Sequence, residues 1–362
     1  MARQYEIAVL PGDGIGPEIT DPTLKILKEI GRGASSYSLK FTHVEAGARA
    51  YAETGESLSV AAMNTVRGAD AILLAAMGLP DVRYSDGTEI SPQIEIRKAL
   101  NLFAGVRPVT VRQGQRTPLT LPAGREIDFV LIRESTEGLF FSQGNGEVTK
   151  DAARETMLIT RDVSEKLFRF AFELAQSRKR AGRGPGRVTC VDKANVFRAF
   201  AFFRSIFDEQ ARAFPGITAG HAYVDATALW MVQKPWDFDV LVTENMFGDI
   251  LSDLGAGLMG GLGLAPSADI GLEHAVFQPC HGSAPDIAGQ GMANPFAMIL
   301  SAAMMLDWLG IKHGDDAMIA DGTRLREAVD AAVASGQVTR DLGGTLSTET
   351  AAEAVMDMLF VA

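Results

Sequence analysis

Short apolar segments alternate with helix-patterned segments along nearly the whole chain. Most apolar segments have the length of a strand, and most are followed by a turn and then by apolar residues at helical spacing. The predicted strands are residues 5–10, 41–45, 71–76, 101–106, 127–134, 187–191, 222–225 and 240–243. The predicted helices include residues 17–30, 59–68, 94–100, 159–177, 199–213, 295–309 and 323–335. Such alternation is typical of a largely parallel sheet covered by helices, so we predict an α/β fold.

Length and charge narrow the classes of protein that this chain can belong to. At 362 residues the chain is long for one hydrophobic core, and two lobes are expected. A formal net charge of -11, with no basic run outside residues 178–183, argues against a nucleic-acid partner. No apolar run reaches transmembrane length, and the first residues alternate like a strand instead of resembling a signal peptide. Cys190 and Cys280 lie in apolar segments, which favours reduced thiols in a cytoplasmic protein.

A glycine-rich turn follows the first predicted strand and precedes a helix. The turn contains Gly12, Gly14 and Gly16 and therefore resembles a dinucleotide-binding loop. The strict G-x-G-x-x-G pattern nevertheless fails, because Pro17 occupies the position of its last glycine. We therefore predict that any nucleotide site in this chain is not of the Rossmann type.

An acidic pair lies on the helix that should follow the apolar strand at residues 240–243. Asp249 and Asp253 are four residues apart, so their side chains share one face of that helix. Apolar residues surround them in the sequence, and two adjacent carboxylates resist burial unless a cation neutralises them. A hard divalent ion, Mg²⁺ or Mn²⁺, suits such oxygen ligands. From spacing alone, a solvated acidic face is equally compatible with the pattern.

An ordered set of motifs carries a resemblance to a known family. The motifs are LPGDGIGPEI (10–19), FAGVRPV (103–109), IRESTEG (132–138), VDKANV (191–196), YVDA (223–226), HGSAPDIAGQGMANP (281–295) and DLGGT (341–345). In this order they resemble the β-decarboxylating dehydrogenases, which include isopropylmalate, isocitrate, homoisocitrate and tartrate dehydrogenases. Any single motif would be weak, but the set spans nearly the whole chain.

The resemblance implies an isopropylmalate dehydrogenase-like two-domain fold with a largely parallel or mixed sheet through both domains and a non-Rossmann cofactor site. Residues 1–102 and 256–362 would form the cofactor-binding domain. Residues 103–255 would form the substrate, metal and dimerisation domain, with an arm near residues 140–158. The family resemblance further implies a homodimer with shared active sites and no membrane or nucleic-acid partner.

The resemblance also assigns the chemistry to particular residues. Asp225, Asp249 and Asp253 would bind Mg²⁺ or Mn²⁺, with Asp225 supplied by the neighbouring subunit. Lys193 would act across the dimer interface as the base for the substrate hydroxyl, because a lysine beside a cation and away from water loses its proton readily. The substrate carboxylates would be bound by Arg97, Arg107 and Arg133, since guanidinium groups bind carboxylates bidentately and stay charged.

A second set of residues resembles the family's cofactor loop. The adenosine end of NAD would be bound by His281, Gly282, Ser283, Ala284, Pro285 and Asp286, with Asn294 as an adenine contact. Asp286 predicts a preference for NAD over NADP, because a carboxylate accepts hydrogen bonds from a ribose 2′-hydroxyl and repels a 2′-phosphate.

Two departures from the family pattern leave the reaction and the substrate open. Phe140 occupies the place of a tyrosine whose hydroxyl helps to protonate the enol, so the decarboxylation step lacks its usual proton donor. Isopropylmalate enzymes place two leucines in the segment that corresponds to residues 91–100, where this chain has apolar Ile94 and Ile96 but polar Gln93 and Glu95. We expect 3-isopropylmalate dehydrogenase-like activity, with tartrate or D-malate and isocitrate or homoisocitrate as alternative substrates. A catalytically impaired nucleotide- or metabolite-binding relative is the alternative of another class.

Overall fold

A mixed sheet of ten strands forms the centre of the structure. The computed structural model describes residues 2–111 and 115–360. Within these residues the strands are β1 (Arg3–Gly12), β2 (Tyr37–His43), β3 (Ala71–Ala76), β4 (Ala104–Thr110), β5 (Asp128–Glu134), β6 (Glu147–Val148), β7 (Ala153–Arg154), β8 (Arg187–Asp192), β9 (Thr218–Tyr223), β10 (Val240–Thr243), β11 (Pro266–Ile270) and β12 (Ala275–Pro279). Of these, β6 and β7 form a separate hairpin, and the other ten belong to the central sheet.

Helices cover the sheet, and most of them follow a strand in the chain. They are α1 (Gly16–Gly33), α2 (Ala48–Thr54), α3 (Val60–Gly68), α4 (Pro92–Ala99), α5 (Arg161–Arg180), α6 (Arg198–Ala211), α7 (Val224–Gln233), α8 (Asn245–Leu258), α9 (Phe296–His313), α10 (Asp316–Ala334) and α11 (Thr348–Phe360). The helix α9 is long and apolar enough to cross a membrane, but 67% of its apolar window is buried inside the protein. It is therefore a core helix of the fold.

The order of strands is β2-β1-β3-β12-β11-β4-β5-β10-β8-β9. Neighbouring strands are parallel except in three antiparallel pairs, β12–β11, β11–β4 and β4–β5. These two strands connect a parallel half made of β2, β1, β3 and β12 to a parallel half made of β5, β10, β8 and β9. The α/β fold class with a largely parallel sheet is thus confirmed.

Alternation along the first strand explains why both faces of the sheet are covered. Ile7 and Val9 belong to one buried cluster, while Ala8 and Leu10 belong to another. Successive side chains of a strand point to opposite faces, so β1 is buried on both. The segment Ile7–Leu10 is a continuous buried apolar run, as expected for the interior of a parallel sheet.

Several predicted elements have the observed bounds, whereas others were wrong or missed. The strands Ala71–Ala76 and Val240–Thr243 were predicted residue for residue. The predicted strand at residues 222–225 is wrong, because β9 ends at Tyr223 and Asp225 lies in the first turn of α7. An acidic residue in the first turn favours a helix through its interaction with the helix dipole. The strand β11 was missed, because its Pro, Ser and Asp residues mask a buried strand.

Candidate active site

A cavity of about 450 Å³ opens where the two halves of the sheet meet. Its walls come from β3, β4, β5, β12, α4 and α8. It brings together nine residues of the predicted site, namely Gln93, Ile94, Arg97, Arg107, Arg133, Asp249, Asp253, His281 and Gly282. The elements that carry them are far apart in the chain, so only the fold assembles this arrangement.

Three arginines converge on this cavity, and we call them the arginine cluster (Arg97, Arg107 and Arg133). Arg107 and Arg133 come from the neighbouring strands β4 and β5 and are each 5% exposed, while Arg97 lies in the last turn of α4. Burial lowers the pKa of Arg133 to about 10, and the charges of Arg97 and Arg107 add to this, although Asp249 opposes them. Like charges held this closely in a partly dehydrated site favour binding of an anion.

A buried carboxylate that sequence reasoning missed holds two members of the arginine cluster. Asp269 on β11 is fully buried, and its two oxygens lie 2.9 Å from Nε of Arg97 and 3.5 Å from a terminal nitrogen of Arg107. Burial by itself would raise the pKa of Asp269, but the arginines outweigh burial and leave it lowered. The signal in the sequence was an acidic residue inside the short segment APSADIG, to which the sequence analysis assigned neither a strand nor a role.

Arg133 has partners of its own at the start of α8. Its Nε and one terminal nitrogen donate to Oδ1 of Asn245 at 2.9 and 2.7 Å, and its other terminal nitrogen pairs with Asp249. The side chain of Glu244 caps this helix by accepting hydrogen bonds from the backbone N–H groups of Met246 and Phe247. The capped helix therefore fixes both the arginine and the acidic pair relative to the cavity.

The acidic pair lies at the cavity edge, one helical turn apart, as predicted. Both residues line the cavity but are exposed within one copy of the chain, so neither carboxylate is buried without a partner cation. Partial burial and the charge of Asp249 raise the pKa of Asp253, which is the signature of two carboxylates that repel each other. Their oxygens suit a divalent cation. Across residues 2–111 and 115–360, no group of three His, Cys, Asp or Glu residues is placed to hold a metal ion.

Lys193 and Asp225 lie outside this cavity and pair with each other. The Nζ atom of Lys193 is 2.7 Å from Oδ1 of Asp225, whose side chain is 67% exposed. The loop that carries Lys193 is fixed by the buried Asp192, which accepts hydrogen bonds from Arg204 and from the backbone N–H of Ala194. One copy of the chain therefore brings together the acidic pair and the arginine cluster, but not the predicted base or the third predicted metal ligand.

Several large apolar side chains are exposed on the elements near Lys193 and the acidic pair. Exposed side chains project from the loop before α6 and from α7 and α8, and we call them the apolar face (Val196, Phe197, Leu229, Val232 and Ile250). Each of these residues is about half exposed or more. Large exposed apolar side chains on neighbouring elements favour a protein–protein interface.

Three loops are bound together next to the cavity. The carboxylate of Asp13 accepts hydrogen bonds from the backbone N–H groups of Gly78, Ala48 and Arg49. The hydroxyl of Ser283 donates to the carbonyl oxygen of Gly78, and the backbone N–H of Ile15 donates to the carbonyl oxygen of Ser283. Gly14 packs so closely on Ser283 that any side chain at this position would collide with it. The predicted cofactor loop is thus anchored on the glycine-rich turn and on the end of β3.

Only some of the residues predicted to bind the cofactor lie at the cavity. His281 and Gly282 line the cavity, but Ser283, Ala284, Pro285, Asp286 and Asn294 do not. The Nδ1 atom of His281 lies 3.0 Å from the carbonyl oxygen of Gly282, and its buried Nε2 has no hydrogen-bonding partner among the described residues. Burial lowers the pKa of His281, so a neutral ring presents an unpaired Nε2 acceptor. This orphaned atom fits a ligand that supplies a hydroxyl or amide donor.

The Asn294 side chain is already engaged in the described structure. Its Nδ2 donates to Asp341 at 3.0 Å, and its Oδ1 accepts from the backbone N–H of Phe296 at the start of α9. Asp286 is exposed and its side chain is open to solvent. The predicted adenine contact and the predicted ribose contact therefore remain predictions.

Phe140 lies against the arginine cluster. The guanidinium carbon of Arg133 is 5.0 Å from the centre of the Phe140 ring, and Nζ of Lys98 donates to the Phe140 carbonyl oxygen at 3.2 Å. A cation over an aromatic face is a favourable contact. The ring has no proton to donate, so this side chain contributes position and shape to the cavity.

Comparison with known proteins identifies the relatives of this chain. The family model described as isocitrate/isopropylmalate dehydrogenase matches residues 6–357. The 3-isopropylmalate/3-methylmalate dehydrogenase of Methanocaldococcus jannaschii is 40% identical over 97% of this chain and 98% of its own length. The 3-isopropylmalate dehydrogenase of Salinibacter ruber is 42% identical over 94% of this chain and 90% of its own length.

Solved structures give the same grouping. Isocitrate dehydrogenase from Methylococcus capsulatus superposes with a TM-score of 0.84 at 36% identity, over 98% of this chain and 99% of that one. A β-decarboxylating dehydrogenase from Thermococcus kodakarensis superposes with a TM-score of 0.79 at 37% identity, over 98% and 96% of the two chains.

Proposed function

Because this chain belongs to the isocitrate/isopropylmalate dehydrogenase family, we propose that it oxidatively decarboxylates a 2-hydroxy acid bearing a β-carboxylate, with NAD as oxidant and Mg²⁺ or Mn²⁺ as cofactor. The substrate class that we favour is 3-isopropylmalate and related alkylmalates, which two of its relatives are named for. The observation that carries this proposal is the single cavity in which the arginine cluster faces the acidic pair. A dianionic acid bound to guanidinium groups on one side would expose its hydroxyl to the carboxylates on the other.

The chain's own residues divide the work between binding and proton transfer. Arg97, Arg107 and Arg133 bind the two carboxylates and orient the carbon that bears the hydroxyl. A divalent cation, when bound to the acidic pair, supplies Lewis-acid polarisation of the substrate oxygens in both steps. Lys193 takes the hydroxyl proton as hydride leaves that carbon. Bound NAD⁺ would supply the hydride acceptor, and the enol left by loss of CO₂ would need a proton that Phe140 cannot donate.

We further propose that the active site is shared between two copies of the chain in a homodimer. Lys193 and Asp225 pair away from the cavity of their own chain, and the apolar face lies next to them. Docking of this face on a second copy would bury it and would bring a second Lys193–Asp225 pair toward the acidic pair. The exposed hairpin of β6 and β7 would extend the interface as an arm. Two unpaired cysteines and a buried apolar helix fit a cytoplasmic enzyme.

One observation favours tartrate as a second candidate substrate. The Oε1 atom of Gln93 is buried beside the cavity and has no hydrogen-bonding partner among residues 2–111 and 115–360. An unpaired buried amide oxygen favours a substrate that brings a hydroxyl to it. Ile94 in the same wall supports a short alkyl substituent instead.

A substrate panel tests the proposed function directly. Purified protein with Mn²⁺ is offered 3-isopropylmalate, 3-methylmalate, D-malate, tartrate, isocitrate and homoisocitrate with NAD⁺ or NADP⁺, and NADH and CO₂ are followed separately. We expect turnover of an alkylmalate or a hydroxylated malate with NAD⁺, because the Asp286 carboxylate repels a 2′-phosphate. Equal or better turnover with NADP⁺ would remove the role proposed for Asp286. No reduced cofactor from any substrate would favour the impaired, binding-only alternative.

Replacing Phe140 with tyrosine should increase CO₂ release relative to NADH formation. The Phe140 ring lies in the cavity wall, so a hydroxyl added at its edge would reach the substrate pocket as a proton donor. General acid catalysis of this kind is worth about a hundredfold or more where proton transfer limits the rate. The ratio of the two products in single-turnover experiments measures the effect. An unchanged ratio would mean that water or another side chain already donates the proton. Phe141, which is half exposed and outside the cavity, provides the matched control Phe141→Tyr.

A further inference from the structure

The buried carboxylate of Asp269 lies behind the arginine cluster and not in the cavity wall. It does not line the cavity, and its side chain is completely buried. Besides Arg97 and Arg107, it accepts hydrogen bonds from the hydroxyl of Ser135 at 3.0 Å and from Nε2 of Gln278 at 3.2 Å. Asp269 therefore acts on a ligand only through the side chains that it holds.

The backbone opposite Asp269 is shaped to admit this carboxylate. Gly105 on β4 pairs with Asp269 in the sheet. A Cβ atom at Gly105 would lie 3.1 Å from Oδ1 of Asp269 and 2.6 Å from the hydroxyl oxygen of Ser135. Glycine at this position thus leaves room for a fully hydrogen-bonded, ionised carboxylate, whose pKa the neighbouring arginines lower despite its burial.

The net charge of the cavity wall follows from these contacts and from Glu89, which lines the cavity and is balanced by Arg83 at 3.6 Å. The three guanidinium groups of the arginine cluster carry three positive charges, and Asp269 cancels one of them. The acidic pair together with its proposed divalent cation is neutral. The Lys193–Asp225 pair lies outside this cavity within one copy of the chain and is not part of this count. Two positive charges remain to face the substrate, which matches the two carboxylates of a dicarboxylate.

We propose that Asp269 is a positioning residue that restricts this enzyme to dicarboxylate substrates and excludes tricarboxylates. The inference rests on the proposed function and names the charge of its substrate. Two substrate carboxylates already balance the positive charge of the site. A third carboxylate would be an uncompensated negative charge, and burying it would weaken binding. The wall that receives the substituent is lined by Gln93 and Ile94, which offer no further cation.

Replacing Asp269 with asparagine tests this proposal by removing the charge and keeping the shape. We expect the ratio of kcat/KM for isocitrate to kcat/KM for 3-isopropylmalate to rise at least about tenfold, mainly through a lower KM for isocitrate. Asp269→Ser removes the same charge with a smaller side chain and should shift the ratio in the same direction. If both substrates lose activity equally in these variants, the role of Asp269 is structural and the proposal is wrong.

A matched control separates charge selection from stability. Asp239 is also fully buried and accepts from Nε of Arg178 at 2.8 Å and from the backbone N–H groups of Gly186 and Arg187, but it does not line the cavity. Asp239→Asn should lower the unfolding temperature and leave the substrate ratio unchanged. A shifted ratio in this variant would overturn the assignment to Asp269.

Binding measurements on the unaltered protein distinguish failure of this inference from failure of the proposed function. With Mn²⁺ present, calorimetry should find isocitrate bound at least about tenfold more weakly than 3-isopropylmalate or D-malate. Equal or tighter binding of isocitrate would overturn the inference even if every variant failed to fold. Selective dicarboxylate binding without turnover of any substrate would support the inference and refute the proposed activity.

Discussion

Replacing Lys193 with methionine is expected to lower kcat by about a hundredfold to ten-thousandfold, the range that a positioned general base contributes. Methionine keeps the length and apolar stem of lysine but cannot take a proton. The substrate carboxylates are bound by the arginine cluster, so KM should change much less than kcat. Steady-state kinetics with NAD⁺ and Mn²⁺ measures both quantities. Lys166→Met is the matched control, because Lys166 is also ion-paired, to Asp162 on α5, and lies outside the cavity.

The same variant tests whether the active site is shared between two copies. Homodimers of Lys193→Met and of Asp253→Asn should each be nearly inactive. After subunit exchange, each mixed dimer would contain one site with an intact lysine from one chain and an intact acidic pair from the other. Random pairing restores about a quarter of the wild-type activity under this arrangement. No recovery in a mixture that demonstrably exchanges subunits would mean that Lys193 serves its own chain, and the shared site would be wrong.

A feature of this fold could be predicted from the sequence when it depends on residues close together in the chain. The strand Val240–Thr243 and the helix that carries Asp249 and Asp253 were predictable, because an apolar run and a four-residue spacing are local patterns. The three arginines could be chosen only through the family resemblance, since each alone resembles a surface residue. Their convergence on one cavity needs β4 and β5 to be neighbours in the sheet, and that pairing is not local.

Other features could not be read from local patterns. Asp269 looks like a loop residue in APSADIG, and its role depends on antiparallel pairing of β11 with β4. Similarly, YVDA reads as a strand by its β-branched and aromatic residues, but Asp225 lies in the first turn of α7 and pairs with Lys193. Tertiary contacts override the weak propensity of such short segments. The residues that position the site are therefore harder to predict than the residues that were predicted to touch the substrate.

Replacing Asp253 with asparagine is expected to lower kcat/KM at least about a hundredfold by removing one proposed ligand of the divalent cation. The thermal unfolding temperature provides a second measurement that does not depend on enzyme activity. In the wild-type protein, Mn²⁺ should raise the thermal unfolding temperature, because a ligand present at about a hundred times its Kd stabilises the folded state by about 2.7 kcal/mol. The Asp253→Asn protein should lose this Mn²⁺-dependent increase.

The metal-free proteins should show the opposite order of stability. Burial and the neighbouring charge of Asp249 raise the pKa of Asp253, so at neutral pH its ionised form is disfavoured in the folded state. A neutral asparagine removes this repulsion, so Asp253→Asn should unfold at the same or a higher temperature than wild type in EDTA, and at a lower temperature in Mn²⁺. Asp162→Asn, at an exposed position paired with Lys166, controls for loss of a surface charge. If Mn²⁺ stabilises Asp253→Asn as strongly as wild type, this carboxylate is not a ligand, because loss of a charged ligand would weaken Mn²⁺ binding.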